Sequence, residues 1–275
     1  MPEIAFQDVV FGYPGGAQVF APPGIDLRLQ GGAIALVGEN GAGKTSLSKL
    51  LNGLLRPQAG AITVADVPVG SRTVAQMAPV IGYAFQNPDD QLFQRTVRDE
   101  VAFGPRAMRR PADRVAHAVE DALARCGLTD AAATHPHDLG LPERKWVTIA
   151  SALAAEPPVL VLDEPTLGQD ARARERLSTL VRSLAAEGRL VLVITHDMDF
   201  VAETCATTVI LTRGRIRYQG PTAGAFEDER LLKDAGLEQP HATRLARTLG
   251  AHPAPVGEAA VVEWLRSRSS PAAPP

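Results

Sequence analysis

The chain has 275 residues, 45% of them apolar, which is enough for one large domain or a domain with an inserted subdomain and a tail. Lys plus Arg number 28 against 31 Asp plus Glu, and the resulting net charge of −3 gives no footprint for nucleic acid, so no nucleic-acid partner is expected. The two cysteines, Cys126 and Cys205, lie far apart in sequence, which argues against a disulfide framework or a zinc site and for a reducing cytosol.

The opening MPEIAFQDVVFGYPGG carries an acidic residue at position 3 and no long apolar core, so it does not read as a signal peptide. No apolar run approaches the ~20 residues of a membrane helix, so a role in transport would require a separate membrane subunit. Ile4 to Phe11 reads as a strand and Gly12 to Gly16 as a turn. Tyr13 sits in that turn, where a flat ring near a nucleotide can stack on adenine or simply serve as a half-exposed core residue. Ile25 to Leu29 alternates as a half-buried strand feeding a Gly31-Gly32 turn.

Ala33 to Asn52, AIALVGENGAGKTSLSKLLN, is the stretch around which the rest is arranged. An apolar strand stops at Gly38-Glu39-Asn40-Gly41-Ala42-Gly43-Lys44-Thr45, and Leu47, Leu50 and Leu51 then recur at helical spacing. This satisfies G-x-x-x-x-G-K-[ST] between a strand and a helix, the context that the phosphate-binding motif requires. Glycines let successive N–H groups curl inward around phosphate oxygens, and the helix start adds partial positive charge. The expected nucleotide cradle is therefore Gly38, Asn40, Gly41, Ala42, Gly43, Lys44, Thr45 and Ser46, with Lys44 reaching the terminal phosphates and the Thr45 hydroxyl holding magnesium.

Arg56 to Gly60 breaks the chain before a strand at Ala61 to Val64, and an apolar segment from Met77 to Phe85 leads into Gln86-Asn87-Pro88-Asp89-Asp90-Gln91-Leu92-Phe93. That polar cluster reads as a surface loop, yet its place after a core strand makes Gln86 a candidate to reach the phosphates. From Thr96 to about Ala155 the spacing becomes helical, with Val115, Val119, Leu123 and Cys126 on one stripe, and this segment reads as an inserted subdomain. Arg106, Arg109, Arg110 and Arg114 read as a solvated face. His135 and His137 lack the companion ligands of a metal site.

Val159 to Leu162 is apolar throughout, as a strand buried on both faces of a parallel sheet is, and it ends in Asp163-Glu164-Pro165. Asp163 is placed to join a magnesium shell and Glu164 to take a proton from an attacking water. Arg172 to Ala186 reads as a helix and Leu190 to Ile194 as another buried strand with His196 just past its carboxyl end, where ligands of open α/β sheets collect. His196 there can contact the terminal phosphate. Val209 to Leu211 and Arg215 to Tyr218 flank Arg213-Gly214 as a hairpin, and the Ser/Ala/Pro-rich end from Ser267 is expected to be disordered.

Together these residues resemble the ATP-binding subunit of an ABC transporter over roughly Ile4 to Gly220. Tyr13 matches the family's adenine-stacking aromatic, GENGAGKT its phosphate loop, Gln86 its Q-loop, VLVLDEP its magnesium and general-base strand, His196 its switch histidine and Asp170 its D-loop aspartate. The resemblance implies an α/β fold of the P-loop NTPase class: a mixed central sheet flanked by helices, an antiparallel β part, and a helical subdomain at about 96–155 within an ATPase domain of residues 1–220. It implies ATP and magnesium as cofactors, with Thr45, Gln86 and Asp163 on the metal and Glu164, His196 and Gln86 in catalysis.

Tyr83 to Phe93 and Leu231 to Gly250 narrow the resemblance to the energy-coupling-factor group, importers of vitamins and of cobalt or nickel ions. In that group residues 221–250 form a carboxyl-terminal extension that helps two ATPase subunits dimerise, and residues 251–275 are left as a tail expected to be disordered. The implied place is the cytoplasmic face of the cell membrane. The implied partners are a second ATPase subunit, a membrane coupling subunit whose arginines meet Asp89 and Asp90 in the groove near Gln86, and indirectly a substrate-capture membrane subunit. One stretch departs: Leu139-Gly140-Leu141-Pro142-Glu143 stands where the family has Leu-Ser-Gly-Gly-Gln. Gly140 has no hydroxyl and Pro142 no N–H, while Arg144 and Lys145 can restore some positive charge, though without directed geometry. In the family one subunit's signature completes the other's phosphate site, so a paralogous partner is favoured over a homodimer. The alternatives are a regulatory subunit that clamps ATP with little hydrolysis and a soluble ABC ATPase not tied to transport.

Overall fold

The computed structural model describes residues 1–269. Its amino-terminal part is an antiparallel sheet in the order β2-β1-β4-β5, formed by β1 (Glu3–Gly12), β2 (Gln18–Gln30), β4 (Ala59–Val64) and β5 (Val67–Pro68). The second sheet runs β10-β9-β3-β8-β7-β6. It comprises β3 (Gly32–Val37), β6 (Ile81–Ala84), β7 (Val159–Asp163), β8 (Leu190–Ile194), β9 (Thr207–Thr212) and β10 (Arg215–Pro221). Only the β9–β10 hairpin in this sheet is antiparallel.

The period of two along the central strands divides one sheet between two cores. Ile34 and Leu36, Val159 and Val161, and Leu190, Leu192 and Ile194 face the antiparallel sheet, where they meet Phe6, Phe20, Leu27 and Leu29. Ala33, Ala35 and Val37, Leu160 and Leu162, and Val191 and Val193 face the opposite side, together with Val119, Leu123, Val147 and Val181. Every residue of β7 and β8 is buried, which is why these strands read as unbroken apolar runs.

Between the sheets and around them lie α1 (Lys44–Leu51), the single turn α2 (Val74–Met77), α3 (Val97–Ala107), α4 (Ala112–Arg125), α5 (Leu141–Ala154), α6 (Ala171–Ala186) and α7 (Met198–Thr204). The stretch from 96 to 155, read above as an inserted subdomain, holds α3, α4 and α5. The α4 stripe of Val115, Val119 and Leu123 is buried, with Cys126 following it. The apolar segment from Met77 to Phe85 is divided, Met77 closing α2 and Ile81–Ala84 forming β6.

The remaining helices are α8 (Thr222–Glu227), α9 (Glu229–Asp234), α10 (His241–Thr248) and α11 (Glu258–Ser269). The last corrects the expectation of a disordered tail over 251–275. Ala246, Ala251 and Val261 bury one another, with Trp264 and Leu265 packed against them, so the apolar AAVVEWL run outweighs the Ser/Pro composition that follows it. Residues 270–275 lie outside the described residues. No helix among the described residues is long and apolar enough to cross a membrane.

Candidate nucleotide site

The loop after β3 can exist only with glycine at its ends. Gly38 has φ of 153°, and a Cβ there would lie 2.0 Å from the Leu211 carbonyl oxygen. Gly43 has φ of 108° and faces the Phe20 ring, so the turn into α1 rejects a side chain on both counts. The Ala42 N–H donates to Glu39 O and the Gly214 N–H to Ala42 O, which fastens the curl to the hairpin beyond β9. Gly43 offers no side-chain cap to α1, so the helix opens with amides available to an anion.

Lys44 turns its ammonium into the loop, donating to Gly38 O at 2.7 Å and Glu39 O at 3.0 Å. Burial pushes its pKa down, opposed by the charges of Glu164, Asp163 and Glu39. Tyr13 reaches the first turn of α1, its hydroxyl 3.1 Å from Ser46 Oγ, while its ring stands edge-on to Phe11 with centroids 5.0 Å apart. Half-exposed and fixed at the loop, this ring is presented as a stacking face would be.

Asp163 ends β7 in register with Ile194 of β8. Burial pushes its pKa up, and the hydrogen bond from Tyr83 is the largest opposing effect. The Tyr83 hydroxyl lies 2.9 Å from Asp163 Oδ2 and 2.8 Å from Ser48 Oγ, and Ser48 in turn donates to Thr45 O. Two of the three residues expected to hold magnesium, Thr45 through its carbonyl and Asp163 through its carboxylate, are therefore linked by the Ser48 and Tyr83 hydroxyls. Burial also raises the pKa of Tyr83, which keeps it a donor.

Glu164 has φ of 47°, a conformation that costs on the order of 1–3 kcal/mol outside glycine. Its N–H donates to Ile194 O at 2.8 Å and its carbonyl accepts from Lys145 Nζ at 2.7 Å. The Glu164 side chain is 11% exposed and its Oε2 lies 2.9 Å from His196 Nδ1, yet that buried oxygen makes no well-aligned hydrogen bond. An acceptor held dry and incompletely paired suits a group that must receive a proton. A cavity of about 610 Å³ opens here, lined among others by Gly38, Asn40, Gln86, Glu164 and His196, and closed on another side by Gly236 to Gln239. Gln86, Glu164 and His196 thus come together beside the phosphate loop, past the carboxyl ends of parallel β6, β7 and β8. Asp170 is the N-cap of α6, accepting from the Ala173 N–H at 2.7 Å.

Two expectations are corrected. Arg144 and Lys145 do not stand free to attract a phosphate: Arg144 Nη1 pairs with Asp89 Oδ1 at 2.5 Å, and Lys145 is buried, donating to Gln86 O at 2.8 Å as well as to Glu164 O. Asp89 is thereby engaged within the chain, while Asp90 stays exposed. The departing signature is also more altered than its letters imply. The Gly140 N–H donates to Glu143 Oε2 at 2.8 Å, so a carboxylate covers the start of α5, and Leu141 projects half-exposed beside it.

Sequence reading missed the parts that Tyr83 and Lys145 play here: Tyr83 bonding Asp163 and Ser48, and Lys145 bonding the Gln86 and Glu164 carbonyls. Tyr83 carried a faint signal, a polar-tipped ring in an apolar strand. Lys145 carried none. Among the described residues no group of three or more His, Cys, Asp and Glu could hold a metal, and His135 Nδ1 simply accepts the His137 N–H. A magnesium ion bound mostly through phosphates and water needs fewer protein ligands, and the Thr45–Ser48–Tyr83–Asp163 chain fits that demand.

The ABC transporter family model matches residues 24–167 of this chain. An ABC transporter ATP-binding protein of Streptomyces avermitilis is 40% identical over 87% of this chain and 90% of its own length. The chain belongs to the ABC transporter family. Another ATP-binding protein of the family, from Pyrococcus abyssi, is 37% identical over 90% of this chain and 93% of itself. Among solved structures, cbiO1 of Clostridium perfringens, part of the cbiONQ ABC transporter complex, is 30% identical with a TM-score of 0.75 and covers 90% of this chain and 98% of its own. As an ABC ATPase the chain binds ATP with Mg2+ and hydrolyses it, and ABC ATPases work with membrane components and a second ATPase subunit.

Proposed function

We propose that this ABC ATPase powers import of a micronutrient, a vitamin or a cobalt or nickel ion, from the cytoplasmic face of the cell membrane, as one half of an asymmetric ATPase pair. The import reading is supported by the likeness to cbiO1 of the cbiONQ complex and by the sequence from Tyr83 to Phe93. Asymmetry rests on one observation: the phosphate loop and the Glu164–His196 pair are intact, while the start of α5 carries the Glu143 carboxylate on the Gly140 amide.

The residues divide the work as follows. The α1 amides and Lys44 hold the phosphates, and Tyr13 stacks on adenine. Thr45, Asp163 and Gln86 hold magnesium, which when bound neutralises phosphate charge. Glu164 receives the proton of the attacking water, and His196, adjacent to it, fixes the terminal phosphate. A partner with an ordinary signature completes this site, whereas the site completed by Gly140 to Glu143 stays weak. Residues 221–250 contribute to pairing, and the groove near Gln86 and Asp90 passes the motion to a membrane coupling subunit, with the substrate-capture subunit beyond it.

Steady-state ATP turnover tests the pairing. The chain alone, even at high concentration, is expected to turn over at no more than about a tenth of the rate reached with a paralogous subunit, since losing a charged hydrogen bond removes about 1.5–3 kcal/mol. Full activity from this chain alone would overturn the asymmetric pair.

A further inference from the structure

Lys145 has no part in the steps above, yet the residue is only 2% exposed. A buried cation is costly unless polar groups meet it. Here the Gln86 and Glu164 carbonyls do so at 2.8 Å and 2.7 Å, from loops that follow two neighbouring strands, β6 and β7. Burial pushes its pKa down, and the carboxylates of Glu164 and Asp163 oppose that.

Glu164 is the residue that needs such a hold. Its backbone lies in the left-handed region, and the peptide on its amino side is fastened by the bond from its N–H to Ile194 O. The peptide on its carboxyl side is fastened by Lys145. The same stretch of α5 reaches the Gln86 loop twice more, through Arg144 to Asp89 and through the Thr148 carbonyl, which accepts from Gln91 Nε2 at 3.3 Å. Gln91 Oε1 accepts the Phe85 N–H in turn, so the loop is stitched to α5 along its length.

We propose that Lys145 is a positioning residue: a single ammonium that ties the backbone of Glu164 and of Gln86 to the start of α5, and so keeps the Glu164 carboxylate beside His196 at the cavity. The start of α5, poor as a binder of a partner's phosphate, thereby governs hydrolysis at its own chain's site. This rests on the reading of Glu164 as general base; Lys145 is the side chain of α5 that bonds the Glu164 backbone itself, while Trp146 and the Pro142 carbonyl hold Gln169 farther along the same loop.

The test uses the full chain with the subunit that gives turnover. Lys145→Met keeps the stem and removes the donors. It is expected to lower kcat at least tenfold while KM and the Kd for ATP with Mg2+ stay within twofold, and to speed hydrogen exchange of the Glu164 amide at least tenfold. Lys145→Gln, shorter and able to reach one carbonyl at most, is expected to fall between, at least threefold below the parent in kcat; it serves also if Lys145→Met does not fold. Parental kcat and exchange in either folded variant would overturn the proposal, as would a kcat loss matched by an equal loss of ATP affinity without change in exchange at Glu164. Should the unaltered pair hydrolyse no ATP, the ATPase reading fails, and exchange at Glu164 still reports whether Lys145 holds it.

Discussion

Two helices of this chain open behind a glycine, and they stand in opposite relation to an anion. At α1 three glycines with positive φ bend the loop, no side chain caps the first turn, and Lys44 points its charge inward. At α5 the Gly140 amide is already bound by the Glu143 carboxylate, Pro142 contributes no N–H, and the two cations that follow are held by Asp89 and by buried carbonyls. Helix geometry and dipole are alike in both places. The difference shows that a helix start becomes a phosphate site only when its amides are unclaimed and the charge beside them is positive.

The contrast can be broken from the α1 side first, where the effect is largest. Lys44→Ala removes a charged donor to phosphate and is expected to weaken ATP binding by roughly 10- to 150-fold, corresponding to about 1.5–3 kcal/mol. Isothermal titration with magnesium present measures it; unchanged affinity would mean that the loop does not hold ATP as described. From the α5 side the expected gain is smaller. Restoring the signature with Gly140→Ser, Leu141→Gly, Pro142→Gly and Glu143→Gln together returns a hydroxyl and an N–H and removes the covering carboxylate. Turnover of the chain without its partner is expected to rise roughly tenfold. No rise would mean that the altered signature is not what limits the homodimer.

Most of the α1 region could be read from the sequence, because its chemistry is local. The apolar runs of β3, β7 and β8 identify the central strands, and spacing alone places Gly38 to Thr45 between strand and helix. Gln86, Glu164 and His196 follow such strands, so a parallel sheet brings their carboxyl ends together. What could not be read depends on which distant groups meet. Lys145 looks like any basic residue at a helix start, and only the packing of α5 against β6 and β7 turns it inward to two carbonyls. Arg144 and Asp89 each looked available to a partner because nothing in their neighbourhoods announces the 2.5 Å pair they form. Helix α11 was hidden by the Ser/Pro-rich composition of the sequence beyond it, although its apolar residues pack with Ala246 and Ala251.

The central claim is that hydrolysis belongs to the site built on this chain's phosphate loop and not to the one completed by its α5. The most direct measurement places the same change on one side of the pair at a time, Glu164→Gln in this chain or the equivalent glutamate in the paralogous subunit, and compares ATP turnover. Removing the general base here is expected to cut the rate by about 100-fold or more, while the change in the partner leaves it within about twofold. Comparable losses from both sides, or full turnover and transport with Glu164→Gln in this chain, would contradict the account.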